Sequence, residues 1–195
     1  MSAGGPQRLR KPATLGVTNV RCATEFVCVA LRVYEAFMKT ESFLRVARSG
    51  GRARVDAGQS FQPGEVLLVL QGKVAEQPDR YSVQIGVDKH LMPDGEGCVW
   101  MFLNHSCEPN AAVMGRKLVA IRAITSGEEV TFNYNCNEYA MDSPFRCRCG
   151  HCGGVQVRGY RYLSAAERVK LAPYVAAHVR REQPEATGAT LATHA

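Results

Sequence analysis

No acidic residue precedes Glu25 in this 195-residue chain, although Arg8, Arg10, Lys11 and Arg21 do. A basic opening of that kind suits a flexible arm, here residues 1–20, or an organelle transit peptide. Also missing is any run near the roughly 18 consecutive apolar residues of a membrane span. The opening "MSAGGPQRLRKPATLG" has no apolar core of the secretory type. A soluble intracellular protein, nuclear or cytoplasmic, with no membrane partner, is therefore expected. Acids are scarce again near the end: from Arg146 to Arg181 eight basic residues face Glu167 alone. That asymmetry fits a solvated helix face or a nucleic-acid neighbour. Because no basic groove interleaved with aromatics is visible, direct nucleic-acid binding is not expected. No internal repeat is present.

What is there suits one domain with extensions, since 46% of the residues are hydrophobic. The segment from Val20 to Ala47 has mixed apolar spacing that fits strand or helix. Glycines at 50, 51, 58, 64 and 72 then surround the apolar run Val66 to Leu70, as in short strands joined by tight turns. "RYSVQIGV", "VWMFL", "KLVAIRAI" and "EVTFNYN" read as further strands, the last two flanking the turn "TSGEE". A mainly β domain is expected. After Ser164, "AAERVKLAPYVAAHVRREQ" reads as a C-terminal helix with Glu167 at capping-box spacing and Pro173 early in its course. The tail "PEATGATLATHA" is expected to be disordered.

Eight cysteines occur, at 22, 28, 98, 107, 136, 147, 149 and 152. Without a secretory signal, close spacing favours metal over disulfides. Cys147, Cys149 and Cys152 form C-x-C-x-x-C in "CRCGHC", and three thiolates need a fourth ligand to complete tetrahedral zinc. His151 lies among them, and Cys107 is the other candidate. Cys22, Cys28, Cys98 and Cys136 read as small buried hydrophobes.

Cys107 belongs to the most polar stretch of the chain, "LNHSCEPN", which follows "CVWMFL" directly. A turn needs only two or three such residues. "NHSCEPN", then "GEEVTFNY", then "FRCRCGHCGG" together resemble a SET domain with its post-SET zinc loop, the family of S-adenosylmethionine-dependent protein-lysine methyltransferases. The resemblance is firm from Tyr81 to Ser164 and looser from Val55 to Gly72. It implies a SET-type β-clip of short strands with a pseudoknot, a small zinc-bound loop and a C-terminal helix. The implied divisions are a SET domain over 21–139, a zinc loop over 140–164, and a helix and tail over 165–195. Carried over residue by residue, it puts Asn104 and His105 at the methyl donor, Tyr134 in the catalytic role and Phe132 in the substrate channel. It puts Cys107, Cys147, Cys149 and Cys152 on one Zn2+.

The implied chemistry is attack of a neutral lysine amine on the methyl of a sulfonium, where positioning and electrostatics dominate. In the family, phenylalanine at the place of Phe132 goes with products beyond monomethyl-lysine. Glu128 and Glu129 read as turn and surface residues. Several positions depart from the pattern. Arg52 and Arg54 stand where the family has G-x-G, Leu70 replaces a tyrosine, Met101 replaces an arginine, and the zinc loop is two residues shorter than C-x-C-x4-C. The expected protein is a monomeric enzyme acting on a lysine of a histone or non-histone protein. Its rivals are a catalytically silent SET-like module that binds a protein or peptide, and a zinc-dependent nucleic-acid binder.

Overall fold

The computed structural model describes residues 43–95 and 97–181, all within one compact unit. The expected arm, the undecided stretch up to residue 42, Cys22, Cys28 and the tail lie outside the described residues.

Leu44–Ser49 (β1) and Arg52–Ala57 (β2) pair antiparallel with Ser49 opposite Arg52. The two-residue turn between them holds Gly50 and Gly51 at φ 56° and 77°. Two consecutive positive φ values are the signature of the hairpin turn whose twist matches its strands, and glycine adopts them without a Cβ penalty. Along β2 the residues alternate: Val55 and Ala57 are buried, while Arg52 and Arg54 face outward.

Val66–Val69 (β3) enters a second sheet, and Lys73–Ala75 (β4), Val83–Gly86 (β5) and Lys89–Met92 (β6) form a third in the order β4-β6-β5. After Asn104–His105 (β7), the hairpin of Ala111–Met114 (β8) and Lys117–Ala120 (β9) completes the second sheet in the order β3-β9-β8. Leu67, Leu70, Leu91, Val113, Leu118 and Val130 are fully buried where these sheets meet. Thr131–Phe132 (β10) pairs in parallel with β7, which lays the "NHSC" and "TFNY" motifs side by side. Phe145–Arg146 (β11) pairs with Gln156–Val157 (β12).

Two expectations fail locally. "VWMFL" is not a strand: Val99–Phe102 forms a 3-10 turn in which Leu103 N–H donates to the Trp100 carbonyl at 3.2 Å. Five consecutive apolar residues lack the period-2 alternation of a half-buried strand. The turn instead buries Trp100, whose indole N–H donates to the Gln71 carbonyl at 3.0 Å. The C-terminal helix is also broken. Ala165–Leu171 (α1) starts on the expected capping box, Ser164 with Glu167, and stops two residues before Pro173. A 3-10 turn over Ala172–Tyr174 and a short helix, Ala177–Arg181 (α2), follow. Proline has no N–H to give and its ring collides with the carbonyl four residues back, which ends α1 there. Leu171, Val175 and Val179 pack with Cys136 and Tyr160 in a separate small core.

Candidate active site and metal centre

Tyr134 begins a short 3-10 turn just after β10. Its backbone N–H donates to His105 Nδ1 at 3.2 Å and its hydroxyl donates to the Leu103 carbonyl at 2.6 Å. The 3-10 turn over Val99–Phe102 makes this possible, because a strand there would commit that carbonyl to a ladder. Burial pushes the Tyr134 phenol well above its ordinary pKa, with Glu138 and Glu129 adding to the effect, so the hydroxyl stays protonated. The Phe132 ring lies 4.8 Å from that of Tyr134, tilted by 43°. Phe145 meets Tyr134 and His105 edge-on at 5.9 and 5.8 Å.

Two cavities flank this aromatic wall. One, of about 730 Å³, is lined by Arg48, Tyr81, Met101, Phe102 and Phe132 among others. The other, of about 790 Å³, is lined by Arg54, His105, Glu129, Arg122 and Arg148 among others. Arg52, Ala53, Asn104, Tyr134 and Phe145 border both. In the first cavity the Arg48 guanidinium sits 5.0 Å over the Phe102 ring, so β1 supplies a cation beside Met101. In the second, Arg54 is bound to Asp56 at 2.9 Å and Arg122 to Glu128 at 2.7 Å. Asn104 Nδ2 donates to Glu129 Oε1 at 2.8 Å and to the Ala53 carbonyl at 3.1 Å. Among the described residues Arg52 and Arg148 have no carboxylate partner. The second cavity therefore offers both a carboxylate and unpaired guanidinium groups, which suits a zwitterionic ligand.

The four cysteines expected on one metal come together. The sulfurs of Cys107, Cys147, Cys149 and Cys152 all lie within 4.8 Å of one another, with 3.8 Å both for Cys107–Cys147 and for Cys149–Cys152. A tetrahedral zinc with Zn–S near 2.3 Å needs sulfurs about 3.8 Å apart, so the donor set and spacing fit. His151 turns away: its Nδ1 lies 3.7 Å from Glu108. Although desolvation opposes it, backbone hydrogen bonds from Cys107 and His151 pull the Cys149 thiol down to about 6. Burial pushes Cys147 up to about 11 and Cys107 higher still. Metal uptake must therefore release protons from Cys107 and Cys147. Cys136 is buried and its thiol is pushed up to about 12, so it is inert; Cys98 is half-buried.

Sequence reasoning missed three features. The Leu103 carbonyl carries no side-chain signal. Phe145 stands just ahead of the cysteines but has no motif of its own. Glu129 is not a plain surface residue, because it holds Asn104. Glu128 does serve its turn: it accepts from Thr125 N–H at 3.0 Å, and also from the buried Asn110 at 3.0 Å.

The chain matches the family model described as "SET domain" over residues 23–135 and belongs to that family. The match begins within the stretch that sequence reading left undecided. The chain is 40% identical over 156 residues to "Histone-lysine N-methyltransferase, H3 lysine-36 specific" of Chaetomium globosum, covering 67% of this chain and 17% of that protein. A protein of the same description from Kluyveromyces lactis is 40% identical over 163 residues, covering 71% of this chain and 23% of that protein. This chain thus spans less than a quarter of either relative. Among solved structures, that of KRYPTONITE with mCHG DNA and SAH aligns with a TM-score of 0.46 at 22% identity, covering 56% of this chain and 27% of that one.

Proposed function

We propose that this chain is an S-adenosylmethionine-dependent protein-lysine methyltransferase that adds more than one methyl group. The observation that carries the reading is the position of Tyr134 on a wall bordered by two cavities, with its hydroxyl proton committed to Leu103. A donor on one side and a lysine on the other would meet at that hydroxyl. When bound, the donor supplies a sulfonium methyl that an uncharged amine attacks in line. A free lysine has a pKa near about 10.4, and the rings of Phe132, Tyr134 and Phe145 penalise the ammonium form. Because the phenol is held protonated, the amine's proton goes to water on the lysine side. The Tyr134 oxygen, its hydrogen turned to Leu103, faces the reacting centre with lone pairs.

The mixed-charge cavity beside Asn104 and His105 is assigned to the donor, and the cavity beside Arg48 and Phe102 to the protein substrate. Zinc on Cys107, Cys147, Cys149 and Cys152 would pin β11 and hence Phe145. This supports the division at residues 140–164 as a zinc loop following a SET domain over 21–139. The names of the relatives specify a histone H3 lysine; a lysine in a histone, reached in the nucleus, is the substrate class proposed here. The test is radiolabelled donor with histone and non-histone mixtures. Labelling that vanishes in Tyr134→Phe supports the reading, and no labelling of any substrate overturns it.

One observation favours the silent module: Arg52, where the family has glycine, borders both cavities. Calorimetric titration with S-adenosylmethionine separates the two, since an occluding Arg52 abolishes the heat and Arg52→Gly restores it.

A further inference from the structure

We propose that His105 is a positioning residue that ties the metal centre to Tyr134, one ring nitrogen serving each. This rests on reading the cysteine cluster as a metal centre. His105 is buried. Its Nδ1 lies 3.2 Å from the Tyr134 backbone nitrogen, which can only donate, so Nδ1 must accept. A neutral ring that accepts at Nδ1 carries its proton on Nε2. Nε2 lies 3.4 Å from Cys107 Sγ, and a metal-bound thiolate there can only accept. Tyr134 and Phe145 close on the ring edge-on, at 5.3 Å and 73° and at 5.8 Å and 80°, so it cannot flip without opening the aromatic wall. A continuous path results: metal-bound sulfur, Nε2–H, Nδ1, Tyr134 N–H.

The path has two ends and a use for each. At the sulfur, an N–H donor delocalises thiolate charge and orients the ligand, as outer-shell partners do. At Tyr134, it fixes the backbone from which the hydroxyl reaches Leu103. With both nitrogens engaged, the imidazole has none left for the methyl donor, so the donor's contact with this residue falls to its backbone and ring edge.

The test is nuclear magnetic resonance on the full chain, nitrogen-15 labelled and exchanged with cadmium-113. The expected result is one cadmium per chain, a His105 Nε2–H resonance coupled to cadmium through sulfur, and an unprotonated Nδ1. Cadmium uptake with no such coupling, or with the proton on Nδ1, overturns the proposal alone; no uptake at all overturns the metal reading and this proposal with it. In wild-type protein, replacing zinc by cadmium should also shift the Tyr134 amide resonance. His105→Leu should abolish that response, weaken metal binding on the order of tenfold and lower kcat more than KM for the donor. His105→Gln, whose amide can still accept from Tyr134 and donate to sulfur, should recover part of each. An unchanged Tyr134 response in His105→Leu would sink the proposal.

Discussion

Phe145 and Cys147 stand two residues apart and answer to different forces. Phe145 is held by ring contacts to His105 and Tyr134, which are short-ranged and need no cation. Cys147 belongs to a cluster in which four like charges cannot coexist without a cation. One side of the site is therefore stable as soon as the chain folds, whereas the other is complete only when loaded. The same short segment carries both, so the aromatic wall depends in part on the cluster.

The largest effect is expected at Tyr134. Tyr134→Phe keeps the ring contacts and removes one hydroxyl, so turnover should fall on the order of a hundredfold, about 2.7 kcal/mol of barrier. Unfolding should change by only about 1 kcal/mol, the worth of one hydrogen bond. Rapid-quench kinetics and thermal melts check the two halves. Next comes the double variant Cys149→Ser with Cys152→Ser, expected to take metal content from one per chain to none. Limited proteolysis should then cut within residues 146–155 well before the β core melts; unchanged metal content would rule the site out.

Phe132→Tyr sharpens the wall itself. A phenolic hydroxyl at that place can hold a water in the space a second methyl needs, so mass spectrometry at long reaction times should show monomethyl-lysine for the variant and further methylated product for the wild type. A wild-type enzyme stopping at one methyl would refute the reading. The pH profile should rise through the alkaline range as the substrate amine deprotonates. It should show no falling limb near pH 10, because burial keeps Tyr134 protonated beyond its ordinary pKa.

The smallest effect is at Glu128. Burial works against its charge, but hydrogen bonds from Asn110 and Thr125 and the Arg122 guanidinium hold its pKa below the usual carboxylate range. A depressed carboxylate stabilises the fold above its unfolded pKa, and that stabilisation is lost as pH falls through the folded value. Glu128→Gln should therefore lose part of the acid sensitivity of the melting temperature, by no more than about 1 kcal/mol for a carboxylate still partly open to solvent. An acid profile identical to wild type would contradict it.

The cysteine cluster was legible in the sequence because ligand spacing is local chemistry, and Cys107 could be added only through the resemblance. The wall was half legible. Phe132 and Tyr134 stood in a motif, but the hydroxyl's partner is a backbone carbonyl freed by a 3-10 turn that apolar composition disguised as a strand. Pro173 is plain in the sequence, but the capping box at Ser164 signals only where the helix starts, and the apolar spacing on both sides of the proline is the same whether the helix is continuous or split. Pairing between Asn104 and Glu129, 25 residues apart, belongs to tertiary structure and leaves no local pattern.

Asn110 gives the short strand before Tyr134 an unusual permanence. Its side chain accepts from Thr131 N–H at 2.8 Å and donates to the Glu129 carbonyl at 2.8 Å. A buried amide thus behaves like one more strand, one residue long. A two-residue strand at a sheet edge ordinarily opens many times before a protein unfolds. Here the Thr131 amide should exchange its hydrogen with solvent only when the core itself opens, which makes the shortest pairing in the site one of its slowest clocks.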